Sequence, residues 1–241
     1  MPGAHARPEL LASPDWLSEN LGRPEVRILD VRWRPDGTGR LAFAAGHVPN
    51  ATYVDWRAAF IDPEDLDTLL LLAPPDQVAD AVAGAGISNG STVVVYDDTA
   101  SLYAARTWWS LRAYGLESVR ILDGGYGAWV DSGRPISHAA NEPELAAFTP
   151  RAQLRIRLTT SDLRSLVGSA GAVILDARAP AEYRGFEGNG RRLGHVPGHF
   201  GRIGRRVVPV ATTTVLARHS RSLVVAIHAS SRRSRRVTPW P

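Results

Sequence analysis

Hydrophobic positions along this chain fall into short β-branched runs, set apart by small polar loops and by apolar stripes of helical spacing. The pattern is densest from Ser91 to Trp129, STVVVYDDTASLYAARTWWSLRAYGLESVRILDGGYGAW. Val93-Val94-Val95-Tyr96 shows no polar alternation, which predicts a strand covered on both faces of a parallel sheet. Asp97 to Ala100 is small and polar, and the strand ends there. Ser101 to Tyr114 then carries two stripes at helical spacing: Leu102, Ala105, Trp109 and Ala113, and beside them Ala104, Trp108 and Leu111. Gly115 stops that helix in the C′ position. Val119 to Leu122 reads as the next strand, and Gly124-Gly125 as a turn that residues without a Cβ make at least cost.

The rest of the chain continues the alternation. Ser13-Pro14-Asp15 predicts a helix start, with Ser13 as N-cap and Pro14 at the first helical position. Val26 to Val31 is a strand carrying Asp30 near its end. Gly46-His47-Val48-Pro49-Asn50-Ala51 turns into a short strand, Thr52 to Val54. Asp62 to Leu72 reads as a loop with some helical character, and Pro75 to Ala83 as a helix closed by Gly84 and Gly86. Asp131 to Pro150 is rich in Pro, Ala and Glu, has no period and suits a linker. Strands alternating with helices predict an α/β fold with a mostly parallel sheet.

The pattern then begins again. Thr160-Ser161-Asp162-Leu163 echoes Ser13-Pro14-Asp15-Trp16. Ile174-Leu175-Asp176-Ala177-Arg178 echoes Ile28-Leu29-Asp30-Val31-Arg32, and Gly194-His195-Val196-Pro197 repeats Gly46-His47-Val48-Pro49. The offsets are 147, 146 and 148 residues. Three matches in one order at nearly one offset predict a tandem duplication of a single α/β unit. After Gly198 the second copy stops matching. Leu223 to Ile227 fits one strand, but most of this tail is expected to be poorly ordered.

Composition sharpens the break. All 28 basic residues are arginine, and the chain has no cysteine. Residues 1–187 hold 17 arginines and all 24 acids; residues 188–241 hold 11 arginines and no acid. The net charge of +4 is thus the sum of an acidic first part and a strongly basic tail. Without cysteine, disulfides, thiolate metal sites and thiol catalysis are excluded. No apolar run is long enough to span a bilayer, and the N-terminus lacks the pattern of a signal peptide, so a cytoplasmic location is the expectation.

ILDVRW, GHVPNATYVDW, VVVYDD, AARTWWSLRAYG and ILDGGYGAW together resemble the N-terminal half of tandem rhodanese-family sulfurtransferases, the class of thiosulfate and 3-mercaptopyruvate sulfurtransferases. ILDARAPAEYRG and the second GHVPG resemble the start of their C-terminal half. The resemblance covers roughly Pro8 to Gly198. It implies two rhodanese-like domains, each a mostly parallel sheet flanked by helices, the second incomplete. The expected layout is a non-catalytic domain over 8–135, a linker over 136–155, a partial second domain over 156–198 and a basic, poorly ordered tail over 199–241. It implies transfer of sulfane sulfur from a small anionic donor, thiosulfate or 3-mercaptopyruvate, to cyanide or a thiol, with no cofactor. In that family a cysteine after the strand equivalent to Val93–Tyr96, in the C-terminal domain, carries the sulfur. Asp97 fills the equivalent position of the first domain, and the second copy departs before reaching it. No residue of this chain is therefore assigned as catalytic, and inactivity is expected. The tail reads as out-of-frame translation of GC-rich DNA; the other two reading frames beyond codon 198 test that. Family members carry a donor-contacting arginine before the tyrosine of the second motif. Here Glu182 stands there, and Arg184 either takes over the role or sits on the surface.

Other residues carry paired readings. Asp30 and Asp176 either orient active-site groups or cap turns and pair with Arg32 and Arg178 or another nearby arginine. His47 and His195 are a metal pair or, more simply, turn histidines. Arg106, on an apolar stripe, needs a partner or a route to water; an ion pair is the favoured account and a role at the vestigial site the second. Gly124 to Gly127 lacks dinucleotide-fingerprint spacing and reads as a strand–helix turn. Trp108-Trp109 reads as core, and Asp97-Asp98, lacking a third ligand, as solvent-facing rather than metal-binding. Two other function classes stand beside the enzyme: a non-catalytic module that binds a partner or small anion, and nucleic-acid binding through the arginine-rich tail. No recognition fold accompanies the tail, and no nucleic-acid partner is expected.

Overall fold

Alternating strands and helices build a parallel sheet in a computed structural model. The structure describes residues 8–65, 71–153, 158–168, 172–176, 179–187, 193–196, 200–201, 215–219 and 222–227. The chain divides into two compact units, Met1–Ala152 and Gln153–Pro241.

In the first unit, β1 (Leu11–Ala12), β2 (Val26–Asp30), β3 (Ala51–Tyr53), β4 (Thr92–Tyr96) and β5 (Val119–Leu122) form one sheet in the order β1-β5-β4-β2-β3. Every pairing in it is parallel. Helices α1 (Pro14–Asn20), α2 (Gly39–Ala44), α3 (Trp56–Phe60), α4 (Pro75–Gly84) and α5 (Leu102–Ala113) connect the strands, and α6 (Gly125–Asp131) follows β5. Successive strand residues point to opposite faces, and both faces are buried. Leu29, Val93 and Val95 pack with Trp56, Val78, Val82, Ala104 and Leu111 on one face. Ile28, Val94 and Tyr96 pack with Leu17, Leu122 and Trp129 on the other. This two-sided burial is why β4 reads as a continuous apolar run, each fully buried valine contributing about 1.5–3 kcal/mol. The loop expected over Asp62 to Leu72 lies partly outside the described residues.

Local signals place the helices. Ser13 caps α1 by accepting from the Trp16 N–H at 3.1 Å, with Pro14 opening the helix. In the second unit α7 (Thr160–Leu166) is capped by Thr159, in a reciprocal box with Asp162. The cap that answers Ser13 is thus Thr159 rather than Thr160. The offset between the two caps then equals that between Ile28 and Ile174.

The stretch expected as a linker lies along the first unit. His47 and Ser137 exchange backbone hydrogen bonds of 2.9 and 2.8 Å. The Asn141 amide donates to the Asn50 carbonyl, and Thr149 and Asn89 bond reciprocally at 2.9 Å. Phe148 is buried in the core, and the Arg151 N–H reaches the Tyr114 carbonyl.

The second unit carries a four-stranded sheet, part of whose register matches that of the first. Strands β6 (Ala172–Asp176), β7 (Phe200–Gly201), β8 (Val215–His219) and β9 (Ser222–Ile227) take the order β7-β6-β9-β8, and α8 (Pro180–Tyr183) follows β6. Leu175 pairs with Phe200 as Leu29 pairs with Thr52. Asp176 pairs with Ile227 as Asp30 pairs with Tyr96, so β9 takes the place of β4. Beside it, where the first unit has parallel β5, stands antiparallel β8. The expectation of a single strand at Leu223 to Ile227 meets β9. Most of the tail expected to be poorly ordered lies outside the described residues.

Candidate functional site

The carboxyl ends of β2 and β4 meet in a buried polar cluster. Asp30 and Arg32 form a buried ion pair, Nη2 to Oδ2 2.7 Å, with Nε also donating to both carboxylate oxygens. The same Nη2 also donates to the Gly46 carbonyl at 2.7 Å, and the guanidinium lies 4.0 Å from the centre of the Tyr126 ring. The Tyr96 hydroxyl donates to Asp30 at 2.6 Å and accepts from the Val48 N–H. Burial, followed by the Asp30 charge, holds the Tyr96 hydroxyl well above the ordinary tyrosine range. Burial works to lower the Arg32 pKa, but the hydrogen bonds and charge of Asp30 raise it overall. Asp30 is therefore a turn-holding, arginine-paired residue. Asp176 is likewise buried; Arg178, its expected partner, lies outside the described residues.

The loop after β4 is organised by Asp97, whose side chain is buried and turned inward. The N–H groups of Thr99 and Ser101 donate to Oδ1 at 2.8 and 2.9 Å, and those of Tyr103 and Ala104 to Oδ2 at 2.8 and 2.9 Å. This corrects the expectation of a solvent-facing acid for Asp97, whereas Asp98 is exposed. Four backbone donors compensate the Asp97 carboxylate away from water, whereas Asp98 turns to Arg34, Nη1 to Oδ1 2.9 Å and Nη2 to Oδ2 2.5 Å. Ala100 and Ser101 adopt left-handed backbone, φ 51° and 63°. Two non-glycine residues in that region carry strain, and the bonds to Asp97 hold it. In the first turn of α5 the Leu102 N–H donates to the Thr99 carbonyl and those of Tyr103 and Ala104 to Asp97, while the Ser101 side chain makes no cap bond. Gly125 lies directly against this loop: a Cβ there would collide with the Asp97 carbonyl, which accepts from the Tyr126 N–H at 2.9 Å.

Burial pushes the Asp97 carboxyl above its ordinary range, the four N–H donors acting in the opposite sense. Burial also works to raise Asp98, but the Arg34 hydrogen bonds and charge carry it below its ordinary range. An aromatic wall stands beside the loop. Trp56 stacks on Tyr103 with centroids 5.2 Å apart, and Trp33 meets both edge-on at 6.1 and 5.6 Å. The sequence reading missed Arg34, Trp33 and Trp56, because no local pattern ties them to a loop about sixty or forty positions away.

The remaining candidates fall elsewhere. His47 stacks on Phe43, with Nδ1 2.9 Å from the Phe43 carbonyl and Nε2 3.1 Å from that of Ala139. His195 repeats the arrangement on Tyr183, with Nδ1 2.9 Å from the Tyr183 carbonyl. Both therefore hold turns. Among the described residues no three of His, Cys, Asp and Glu gather as metal ligands would. Arg106 is buried on α5 with its guanidinium 4.9 Å from the centre of a Trp109 ring. Glu182 is buried and accepts from the Ala179 N–H. Arg184 is exposed, its guanidinium over Phe186. Among the described residues no helix is long and apolar enough to cross a membrane.

Residues 13–132 match the family model for the rhodanese-like domain. The chain is 32% identical over 206 residues to the sulfur carrier protein TtuD of Thermus thermophilus, covering 80% of this chain and 69% of that one. It is 31% identical over 204 residues to a thiosulfate sulfurtransferase of Gallus gallus, covering 81% and 70%. The crystal structure of SseA from Escherichia coli, described as a 3-mercaptopyruvate sulfotransferase, superposes with a TM-score of 0.72 at 28% identity, over 80% of this chain and 74% of that one.

Proposed function

This chain belongs to the rhodanese family, and on that premise we propose that it is a sulfurtransferase by lineage that transfers no sulfur itself. Its first unit is a non-catalytic rhodanese-like module, and its second unit a partial copy of the same fold. Relatives named as thiosulfate and 3-mercaptopyruvate sulfurtransferases support a small anionic sulfur donor, with cyanide or a thiol as acceptor, as the ancestral chemistry.

One observation carries the proposal of inactivity: none of the 241 residues is a cysteine. A sulfane sulfur is held as a persulfide, which requires a thiolate nucleophile. After β4 the chain places Asp97, whose carboxylate is bound by four N–H groups and buried. After β9, which takes the same place beside β6, the next residue in sequence is His228. Neither side chain forms a persulfide. Incubating the full chain with cyanide and either thiosulfate or 3-mercaptopyruvate is expected to yield thiocyanate at the no-protein rate. Turnover above that blank, proportional to protein concentration, would refute the proposal.

A further inference from the structure

His47, in the turn that leads into β3, faces two acceptors at once. The residue is 1% exposed, with Nδ1 2.9 Å from the Phe43 carbonyl in the last turn of α2 and Nε2 3.1 Å from the Ala139 carbonyl. A carbonyl oxygen only accepts. A neutral imidazole has one N–H and one bare lone pair, so it serves one of these carbonyls and turns its lone pair on the other. The imidazolium has two N–H donors and serves both. Among the described residues no carboxylate pairs with the ring. At the end of β2, Arg32 donates to the Gly46 carbonyl and is itself paired with Asp30. Arg40 of α2 lies over the ring of Tyr53 on β3, and that ring meets Phe43. The hydroxyl of Tyr126 on α6 and the ring of His138 stand 3.1 and 3.6 Å from where a Cβ on Gly46 would lie. Burial and the two arginines oppose a further cation. The two carbonyls favour it, since a bond from a charged donor is roughly twice as strong as a neutral one and a buried acceptor facing a lone pair is left unsatisfied.

We propose that His47 is a proton-operated clasp, closed as the imidazolium, that fastens the segment after α6 onto the first unit. The backbone of His47 exchanges two hydrogen bonds with Ser137, of 2.9 and 2.8 Å, and its ring reaches Ala139 across 92 positions. Ser137 Oγ in turn accepts from the Ala139 N–H at 3.1 Å, so backbone and ring grip one short stretch, Ser137 to Ala139. The ring is fixed by stacking on Phe43, with centroids 3.8 Å apart and planes within 10° of parallel. Whichever nitrogen gives up its proton, a lone pair then faces a carbonyl oxygen at bonding distance. A rigid ring spans both carbonyls, so it cannot back away from one and keep its bond to the other unchanged. The sign follows: the protonated ring makes both bonds, and the clasp is firm at low pH and loosens as pH rises through deprotonation.

Ring-nitrogen NMR and amide hydrogen exchange on the full chain test this, from about pH 5 to about pH 9, which brackets the ordinary histidine titration. At the low end both ring nitrogens of His47 should carry protons. As pH rises one should lose its proton. Protection of the His47 and Ser137 amides, normalised for intrinsic exchange and referred to the amides of β4, should then fall roughly tenfold to hundredfold, the contribution of one bond from a charged donor. His47→Gln, with one donor group and no charge, should show the lower Ser137 protection at every pH. His138→Gln removes the neighbouring titratable ring and should leave the dependence intact. Should His47→Gln fail to fold, the unsubstituted protein and His138→Gln decide the matter. A His47 ring that keeps the same number of protons from end to end, protection that ignores its titration, or a dependence lost in His138→Gln would each overturn the proposal. Sulfur transfer enters none of these readouts, so the outcome is separate from that of the thiocyanate assay.

Discussion

Replacing Asp97 by Asn keeps the side chain's shape and removes its charge, which separates a cradle of four backbone N–H donors around a carboxylate from an ordinary helix cap. At an ordinary N-cap the two residues are nearly equivalent, so that reading predicts a change close to zero. In the cradle all four positions around the carboxylate are donors. An amide oxygen satisfies two of them, and its NH2 group then faces the other two. A hydrogen bond to a charged acceptor contributes about 1.5–3 kcal/mol, so two lost bonds amount to about 3–6 kcal/mol. An opposing effect reduces this, because burial pushes the Asp97 carboxyl upward and a neutral side chain escapes that cost. The expected loss is therefore about 3 kcal/mol at pH 7, at the lower end of the range. Urea unfolding of the full chain followed by tryptophan fluorescence measures it. Of the seven tryptophans, all but Trp240 lie in the first unit, so the signal reports the unit that holds the cradle. A loss below about 0.5 kcal/mol, the scale of a surface substitution, would refute the cradle argument.

Two further outcomes follow from the same geometry. Phe148→Ala should destabilise the first unit by about 3–5 kcal/mol in the same urea experiment, because Phe148 is core despite lying in the stretch that reads as a linker; a loss under about 1 kcal/mol would mean the segment is only a tether. The Arg34–Asp98 pair, partly exposed on both sides, should contribute about 0.5 kcal/mol. The sign follows from Asp98 lying below its ordinary range in the folded state: the contribution is present above about pH 4 and lost as pH falls through the folded-state value. Asp98→Asn should therefore be the less stable protein near pH 6, and the difference should close on acidification; a difference independent of pH would contradict the assignment.

How far the sequence reached can be followed through particular residues. Val93 to Tyr96 announced a doubly covered strand because a parallel sheet needs apolar residues on both faces, and the run survives as a local signal. Ser13, Pro14 and the glycine turn at 124–125 were equally legible, since capping and positive φ are decided within a few residues. Repetition of three short motifs at one offset predicted a duplication, and β2–β4 and β6–β9 are parallel pairs in which Asp30 faces Tyr96 and Asp176 faces Ile227. Asp97 could be placed at the end of a strand but not inside its cradle. The direction of its side chain depends on where four N–H groups of a left-handed loop converge, and adjacent acids carry no sign of that.

Composition and local pattern alone therefore determined the fold class, the repeated motifs and the absence of any thiol. Those properties are written in residue identity and spacing, over distances shorter than a helix or at one repeated offset. Folding decided the rest. It brought Arg34 to Asp98 across 64 positions, laid Phe148 into the core and turned one of two neighbouring aspartates inward to meet backbone donors. Each of these depends on burial and on which groups are left to satisfy one another once water is gone, and neither quantity exists until the sheet has closed over its helices.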